Sequence, residues 1–433
     1  MTSVKFSHRL TFVALMGCAA SAWAGAPQPF SPDIVLDVGD LRQLLREQGI
    51  DFRVGYVSET ATNIQGGTQE LWRYTDQWTF SAKLDLQKLF GISQAQFAVV
   101  ITDRNGKNLS ADANLGSLQQ VQELYGGGQT WRWTEFYYQQ KYGDGKLDWK
   151  VGRLPVGDDF AAFSCEFMNL TFCGAAPGNL VGDYWYNWPV SQWATRIRAN
   201  FSGFGYVQVG AYEVNPSYLE TKNAMDLGSP PGATGVLAPL EIGWLPTLHG
   251  LAGSYKFGGW YSSTSAPDVV NNTDERPLAL YGGQPLMHHG QYGAYLNFQQ
   301  RLTAPDSTES KRGLAVFLNA TYADRRTSTL DNQVAVGLLY SGPFAQRATD
   351  ELGLAVGETH VNGRIADVQR MQNALNQQPV AVQSTEYVGE IFYNVHVTGW
   401  LDLRPNLEYV LHPGGSSQNA NDLIFGVRVA INL

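Results

Sequence analysis

The chain has 433 residues, of which only 16% are charged, and its formal net charge is −9. That acidic balance argues against nucleic acid as a partner, since phosphate recognition calls for a basic surface. Beyond the N-terminus no run of 18 apolar residues occurs, which excludes helical membrane spans; the mean hydropathy of −0.22 leaves strands open, because alternation cancels in any averaging window.

Taken in order, residues 1–24 read as an export leader. Lys5 and Arg9 flank the start of an apolar run, and Ala22-Trp23-Ala24 supplies the small residues of a cleavage site. A second reading takes Leu15-Met16-Gly17-Cys18 as a lipoprotein site with Cys18 lipidated, but it leaves a very short apolar core, so cleavage after Ala24 is preferred. Export then leaves Cys165 and Cys173, an even pair in an oxidising compartment, and a disulfide across a short loop is expected. Residues 25–50 read as an extended segment followed by a short helix, 41–48, that Asp40 caps and Gly49 stops.

Residues 51–433 read as one β-barrel. Strands are expected at 51–60, 71–89, 94–104, 131–142, 146–156, 192–201, 205–214, 236–244, 250–261, 291–301, 313–324, 333–340, 351–361, 385–395, 401–411 and 422–433, about sixteen in all. Each is near the length that crosses a bilayer at a tilt. The last is the clearest: Leu423, Phe425, Val427, Val429 and Ile431 alternate with smaller or polar residues that include Arg428 and Asn432. Connections are short at 90–93, 143–145, 202–204, 245–249 and 396–400, and long at 105–130, 157–191, 215–234, 262–290 and 362–384. A soluble sandwich has no reason to sort its loops by parity, whereas an outer-membrane barrel pairs short periplasmic turns with long extracellular loops. The expected fold is therefore all-β, a closed antiparallel transmembrane β-barrel. Two long loops carry helical spacing, at Leu115, Leu118, Val121 and Tyr125 and at Ile365, Val368, Met371 and Leu375, and read as small helices on the barrel mouth.

Several strings, in order along the chain, carry a family resemblance: Gly152-Arg-Leu-Pro-Val-Gly-Asp-Asp-Phe160, Cys165 and Cys173, Trp188-Pro-Val-Ser-Gln-Trp-Ala-Thr-Arg-Ile-Arg198, Gly210-Ala-Tyr-Glu-Val-Asn-Pro216 and Tyr409-Val-Leu-His-Pro-Gly-Gly415. With them the chain resembles the OprB-type carbohydrate-selective porins of bacterial outer membranes. The resemblance implies a monomer-sized barrel, passive uptake of mono- or disaccharides, no cofactor, and outer-membrane lipid and the barrel-assembly machinery as surroundings. Leu433 stands where such barrels usually end in Phe; leucine keeps the apolar face, but recognition by the assembly machinery is put in question. The oligomeric state is left open, since an apolar outer wall serves lipid and subunit contact alike.

A sugar path needs a constriction whose hydrogen bonds replace hydration, with binding weak enough for release. Alternation puts Arg73, Gln77, Thr79, Lys83 and Asp85 on one face of their strand, opposite Trp72, Trp78 and Phe80. In the fourth strand Trp131, Trp133, Glu135, Gln139 and Lys141 share a face, opposite Phe136 and Tyr138; in the sixth, Arg196 and Arg198 oppose Trp193, Ile197 and Phe201. Outward charges at mid-membrane cost about 2–4 kcal/mol, so the charged faces should point inward. Glu135 with Arg196, Arg198 and Arg73 is the expected constriction set, and Trp133, Lys83 and Arg153 complete the candidate pore lining. Trp131 and Trp133 have an alternative place in an interfacial aromatic girdle. Further polar-face residues are Glu241, Lys256, Asn297, Arg301, Glu390, Asn394, Arg404, Glu408 and Arg428, most of them expected to pair along the wall. The Cys165–Cys173 loop either folds inward and narrows the path or staples an exposed loop.

Catalytic motifs are missing from the sequence: no G-x-S-x-G serine turn and no H-E-x-x-H metal site occurs. His288-His289 is poor geometry for two ligands on one metal, and Asp158-Asp159 only mimics a glycosidase pair, because adjacent residues point apart. The rival readings are an exported β-rich glycoside hydrolase and an outer-membrane barrel that anchors without conducting.

Overall fold

The computed structural model describes residues 41–201, 204–303, 312–375 and 379–432. The leader, the capping residue Asp40 and the terminal Leu433 lie outside them. Period-two alternation gives each strand one apolar and one polar face, and a closed sheet buries the polar face and removes every free edge. Strands β1 (Ile50–Gln65), β2 (Trp72–Asp85), β3 (Ala95–Gly106), β4 (Trp131–Tyr142), β5 (Leu147–Leu154), β6 (Gln192–Phe201), β7 (Gly205–Val214) and β8 (Gly235–Trp244) are followed by β9 (Thr247–Leu248). Then come β10 (Leu251–Asn272), β11 (Pro285–Arg301), β12 (Gly313–Ala323), β13 (Leu330–Ser341), β14 (Glu351–Val361), β15 (Thr385–Thr398), β16 (Leu401–Leu411) and β17 (Asp422–Asn432). All seventeen join one sheet. The two-residue β9 is a ribbon inside a turn, so sixteen strands form the wall. Neighbours pair antiparallel, and β1 closes the barrel on β17 from Gly55↔Asn432 to Gln65↔Leu423.

Strand ends depart from expectation where local chemistry intervenes. β2 stops at Asp85, whose carboxylate accepts from the N–H groups of Gln87 and Lys88 at 3.0 and 3.1 Å and so caps a helix, Leu86–Phe90, ended by left-handed Gly91. β5 stops at Leu154, before Pro155 opens a turn of helix. β10 and β11 run to 22 and 17 residues, beyond the expected limits, as a ribbon extending past the wall; the extra stretch, rich in Ser and Thr, lacks an apolar face to read. Helix Gly363–Ala374 forms where its spacing suggested, capped by the Asn362 side chain. The spacing at Leu115–Tyr125 does not become a helix. Only Glu123–Tyr125 forms a 3-10 turn, because Leu118 and Val121 give their N–H groups to Glu386 and Ser110 instead of to the preceding turn.

The outer wall is apolar, with Ile242, Phe257, Leu354, Val356 and Leu407 all exposed. Aromatic residues gather toward its two ends, Trp72, Tyr261 and Tyr387 at one and Phe204, Trp244 and Trp400 at the other, as girdles do at the two interfaces of an outer-membrane barrel. Inside, residues 155–191 bring Phe160, Phe163, Phe167, Phe172 and Trp185 against wall residues such as Trp260, Tyr295, Phe317 and Phe392. The lumen thus contains a packed core of its own. Val356 sits mid-strand and is 55% exposed, so Val356→Lys should lower stability in lipid vesicles by about 2–4 kcal/mol. Urea-midpoint refolding measures this, and an unchanged midpoint would contradict a lipid-facing wall.

Candidate functional site

A loop that enters a barrel buries backbone N–H and C=O groups, and each needs a partner. Loop 155–191 finds its partners on the inward faces of the strands. Glu241 on β8 accepts from Ala161 N at 2.8 Å, and Glu390 on β15 accepts from Met168 N and Asn169 N at 2.9 Å each. Glu408 on β16 accepts from the Asn169 amide at 3.0 Å, Lys256 on β10 donates to Ala162 O at 2.5 Å, and Arg404 reaches Glu166. Gln208 on β7 donates to Asp159 O, and Asn179 donates to Gln333 on β13. The loop is held along β7–β16, and Cys165 and Cys173 form a disulfide across eight residues within it.

The side of the lumen next to β1–β3 is left more open. There a second loop, 107–130, descends to meet the first: Glu123 N donates to Met168 O at 3.0 Å and Leu170 N to Gln120 O at 2.9 Å. Gly127, at φ +83, lets the two backbones abut, since a Cβ on it would lie 2.6 Å from Pro189 Cδ. Between the loops and the wall is a cavity of about 250 Å³ lined by Gln77, Arg104, Glu123, Asp158, Trp188 and Arg428, among others. Arg104 Nε donates to Gln77 Oε1 at 2.7 Å and its Nη1 to Gly126 O at 2.5 Å, with Nη2 3.7 Å from Glu123. Arg428 Nη1 lies 3.0 Å from both Glu59 and Glu123. Two cations and two anions are thus locked together in a narrow, low-dielectric space, where such pairs are screened little.

Of the residues expected in the constriction, Glu135, Arg196 and Arg198 belong to one network, and it anchors the root of the lumen loop. Arg196 lies 3.3 Å from both Asp148 and Asp159, Lys150 lies 2.9 Å from Asp159, and Arg198 donates to Gln208 at 2.8 Å. Burial, then the nearby Glu135 and Asp159, push the Asp158 carboxyl well above its ordinary value. Burial alone would raise Asp159 too, but Lys150 and Arg196 outweigh it and hold that carboxyl down to about 2. Arg73 is not part of this group: it faces inward higher up and pairs with Asp112 of the second loop at 2.5 Å.

Two candidates are on the other side of the wall. The pairing of β3 with β4 jumps from Val100↔Glu135 to Ile101↔Trp133. That bulge inserts Thr134, so Arg132 and Thr134 are buried while Trp131 and Trp133 turn outward. Trp133 packs edge-on against outward Phe136 at 6.1 Å. Arg153 shares the parity of Trp149 and Val151, away from Lys150, and locks an outer loop: it stacks on Tyr218 at 4.3 Å and donates to Asp226 O and Ser191 O. Lys83 does face inward, but in a wider vestibule of about 700 Å³ near the short-turn end, with Arg46, Asp51 and Gln139. Arg104 and Glu123 are not among the sequence candidates, and Trp188 enters there only within a family string; Arg104 ends a strand, and the other two lie in loops without a period. Among the described residues the one grouping of metal-ligand types is Glu123 with Cys165 and Cys173, and both sulfurs are committed to the disulfide.

Comparison with known proteins places this geometry. Residues 69–433 match the model of the "Carbohydrate-selective porin, OprB family". The chain is 42% identical over 431 residues to Porin B of Pseudomonas aeruginosa, covering 96% of this chain and 94% of that one. It is 32% identical over 419 residues to the putative porin QuiX of Acinetobacter baylyi, covering 92% of each. Its fold superposes on the high-pH structure of Pseudomonas putida OprB with a TM-score of 0.88 at 42% identity, over 92% of this chain and 97% of that one.

Two outcomes test the anchoring of the loop. Glu390→Ala strands two buried N–H groups at about 1–3 kcal/mol each, so the loop should loosen, seen as larger and noisier single-channel currents; a quiet, unchanged trace would show that the loop is held elsewhere. Asp159, with its folded value depressed to about 2, contributes about 2 kcal/mol above pH ~4 that is lost as pH falls through ~2. The stability gap between the native protein and Asp159→Asn should therefore be full at pH 6 and closed near pH 2, and a gap that widens on acidification would reverse the assignment.

Proposed function

The chain belongs to the OprB family of carbohydrate-selective porins, and we propose on that footing that solutes cross it through the Arg104–Glu123–Arg428 cavity. It is an outer-membrane channel for passive sugar diffusion, not an enzyme, and the hydrolase and silent-anchor readings fall away with membership. The observation that carries the path is the cavity's chemistry. Arg104 and Arg428 offer N–H donors and Glu123 offers an acceptor, with Glu59 behind them pairing Arg428, so a hydroxyl entering there is met both ways. The charges balance, which suits an uncharged polyhydroxylated solute.

Size favours a single sugar ring. About 250 Å³ falls below the ~300–1,000 Å³ typical of sites for drug-sized ligands, which supports monosaccharides over disaccharides. The root network of Glu135, Arg196 and Arg198 shapes the path indirectly, by fixing the loop, while Lys83 meets the solute in the vestibule. Insertion by the barrel-assembly machinery belongs to the same reading, supported by the alternating β17 that closes on β1.

Liposome swelling with glucose and maltose, together with sugar block of single-channel current, tests this reading. Glucose should enter much faster than maltose. Arg104→Ala should weaken glucose block about tenfold, the scale of one charge-assisted hydrogen bond, and raise the maltose-to-glucose ratio. An unchanged ratio and an unchanged block in that variant would move the path elsewhere.

A further inference from the structure

We propose that Trp188 is the specificity platform of the channel, a flat apolar surface that selects solutes presenting a ring face over open-chain polyols of the same size. The inference rests on the reading of the Arg104–Glu123 cavity as the solute path and concerns its opposite wall. Trp188 lines that cavity and is partly exposed to it. Its indole N–H donates to Gln77 Oε1 at 3.2 Å, the same oxygen that accepts from Arg104 Nε at 2.7 Å. Gln77 is fixed in turn by its amide, which donates to Thr79 at 2.9 Å. The polar edge of the indole is therefore consumed by the wall, and what remains for a solute is its apolar face.

The neighbouring aromatics cannot take this part. Trp185 is fully buried, edge-on to Trp260 at 5.2 Å and to Tyr295 at 6.1 Å, and Tyr186 is 2% exposed. Among the described residues no other aromatic ring stacks on Trp188. Behind it Pro189 is backed by Gly127, so the segment carrying the indole is wedged between two loops. The eyelet thus has one wall of balanced charge and one of flat carbon. A pyranose fits both, since its hydroxyls lie around the rim and its C–H bonds form two apolar faces. A linear polyol has the hydroxyls but no persistent face. An aromatic wall of this kind contributes through dispersion and apolar contact, which leaves binding weak enough for passage.

The test is liposome swelling with D-glucose and D-glucitol, run on the native protein, Trp188→Phe, Trp188→Ala and Arg104→Ala, each checked for heat-modifiable barrel mobility. The native channel should favour glucose. Trp188→Ala should lower the glucose-to-glucitol ratio roughly two- to tenfold, while Trp188→Phe, which keeps a ring but loses the bond to Gln77, should retain most of it. A ratio that stays at the native value in Trp188→Ala overturns the platform, as does an equal loss in the Phe variant. Arg104→Ala separates the two levels: if it alters entry of neither solute, the cavity itself is not the path, whatever Trp188 does.

Discussion

The structure depends on one constraint: a loop of some thirty-seven residues, 155–191, is buried inside a barrel where its backbone polar groups cannot all reach water. An unmet buried N–H costs about 1–3 kcal/mol. The inward carboxylates Glu241 and Glu390 accept from the loop backbone, and Glu408 accepts from its Asn169 side chain. These residues, which look like a charged pore lining, are largely used up as a scaffold. The same holds for Lys256 and Arg404, whose cationic ends are directed at the loop. What is left between the loop and the wall is a narrow cavity on the β1–β3 side, where, among the described residues, no inward carboxylate holds the loop backbone.

That division explains why the lumen carries an apolar core. With its polar groups satisfied at the wall, the loop turns Phe160, Phe167, Phe172 and Trp185 into pockets between the strands. Burial of these rings supplies the favourable term that offsets ordering a long connection. The disulfide between Cys165 and Cys173 closes the bend that carries Met168 and Asn169, the residues held by Glu390 and Glu408. The second loop has less apolar cargo, and its descent relies on Glu59, Glu386 and Arg428. The eyelet is the seam between a core-packed loop and an ion-paired one.

How much of this is legible in the sequence follows from which features are periodic. The wall is: β4, β6, β7, β14 and β16 begin and end where alternation says they should. The inward sense of Arg196 and the outward sense of Ile197 are equally plain. A one-residue bulge is not periodic, so the inversion of Trp131 and Trp133 relative to Glu135 leaves no trace in the pattern. Arg153 illustrates a different failure: the cost of an outward charge predicts an inward side chain, but the loop bearing Tyr218 and Asp226 covers it on the outer side. Glu123 and Trp188 lie in segments whose conformation is set by the partners they meet, which only the folded barrel assembles.

Closure of the barrel also brings the ion-pair cluster together. The register that joins the first strand to the last sets Glu59 directly opposite Arg428, and the pair so formed then captures Glu123 and the Leu124 N–H from the second loop. With β1 held in register by β2, a slip of one residue would turn Arg428 to the lipid face, at the cost of a charge in the membrane and of the ion pairs that join β17 to Glu59 and Glu123. The hydrophobic alternation of β17 and the charge balance of the constriction therefore enforce the same pairing. A wrong register would thus break the Glu59–Arg428–Glu123 contacts that hold the second loop against the wall.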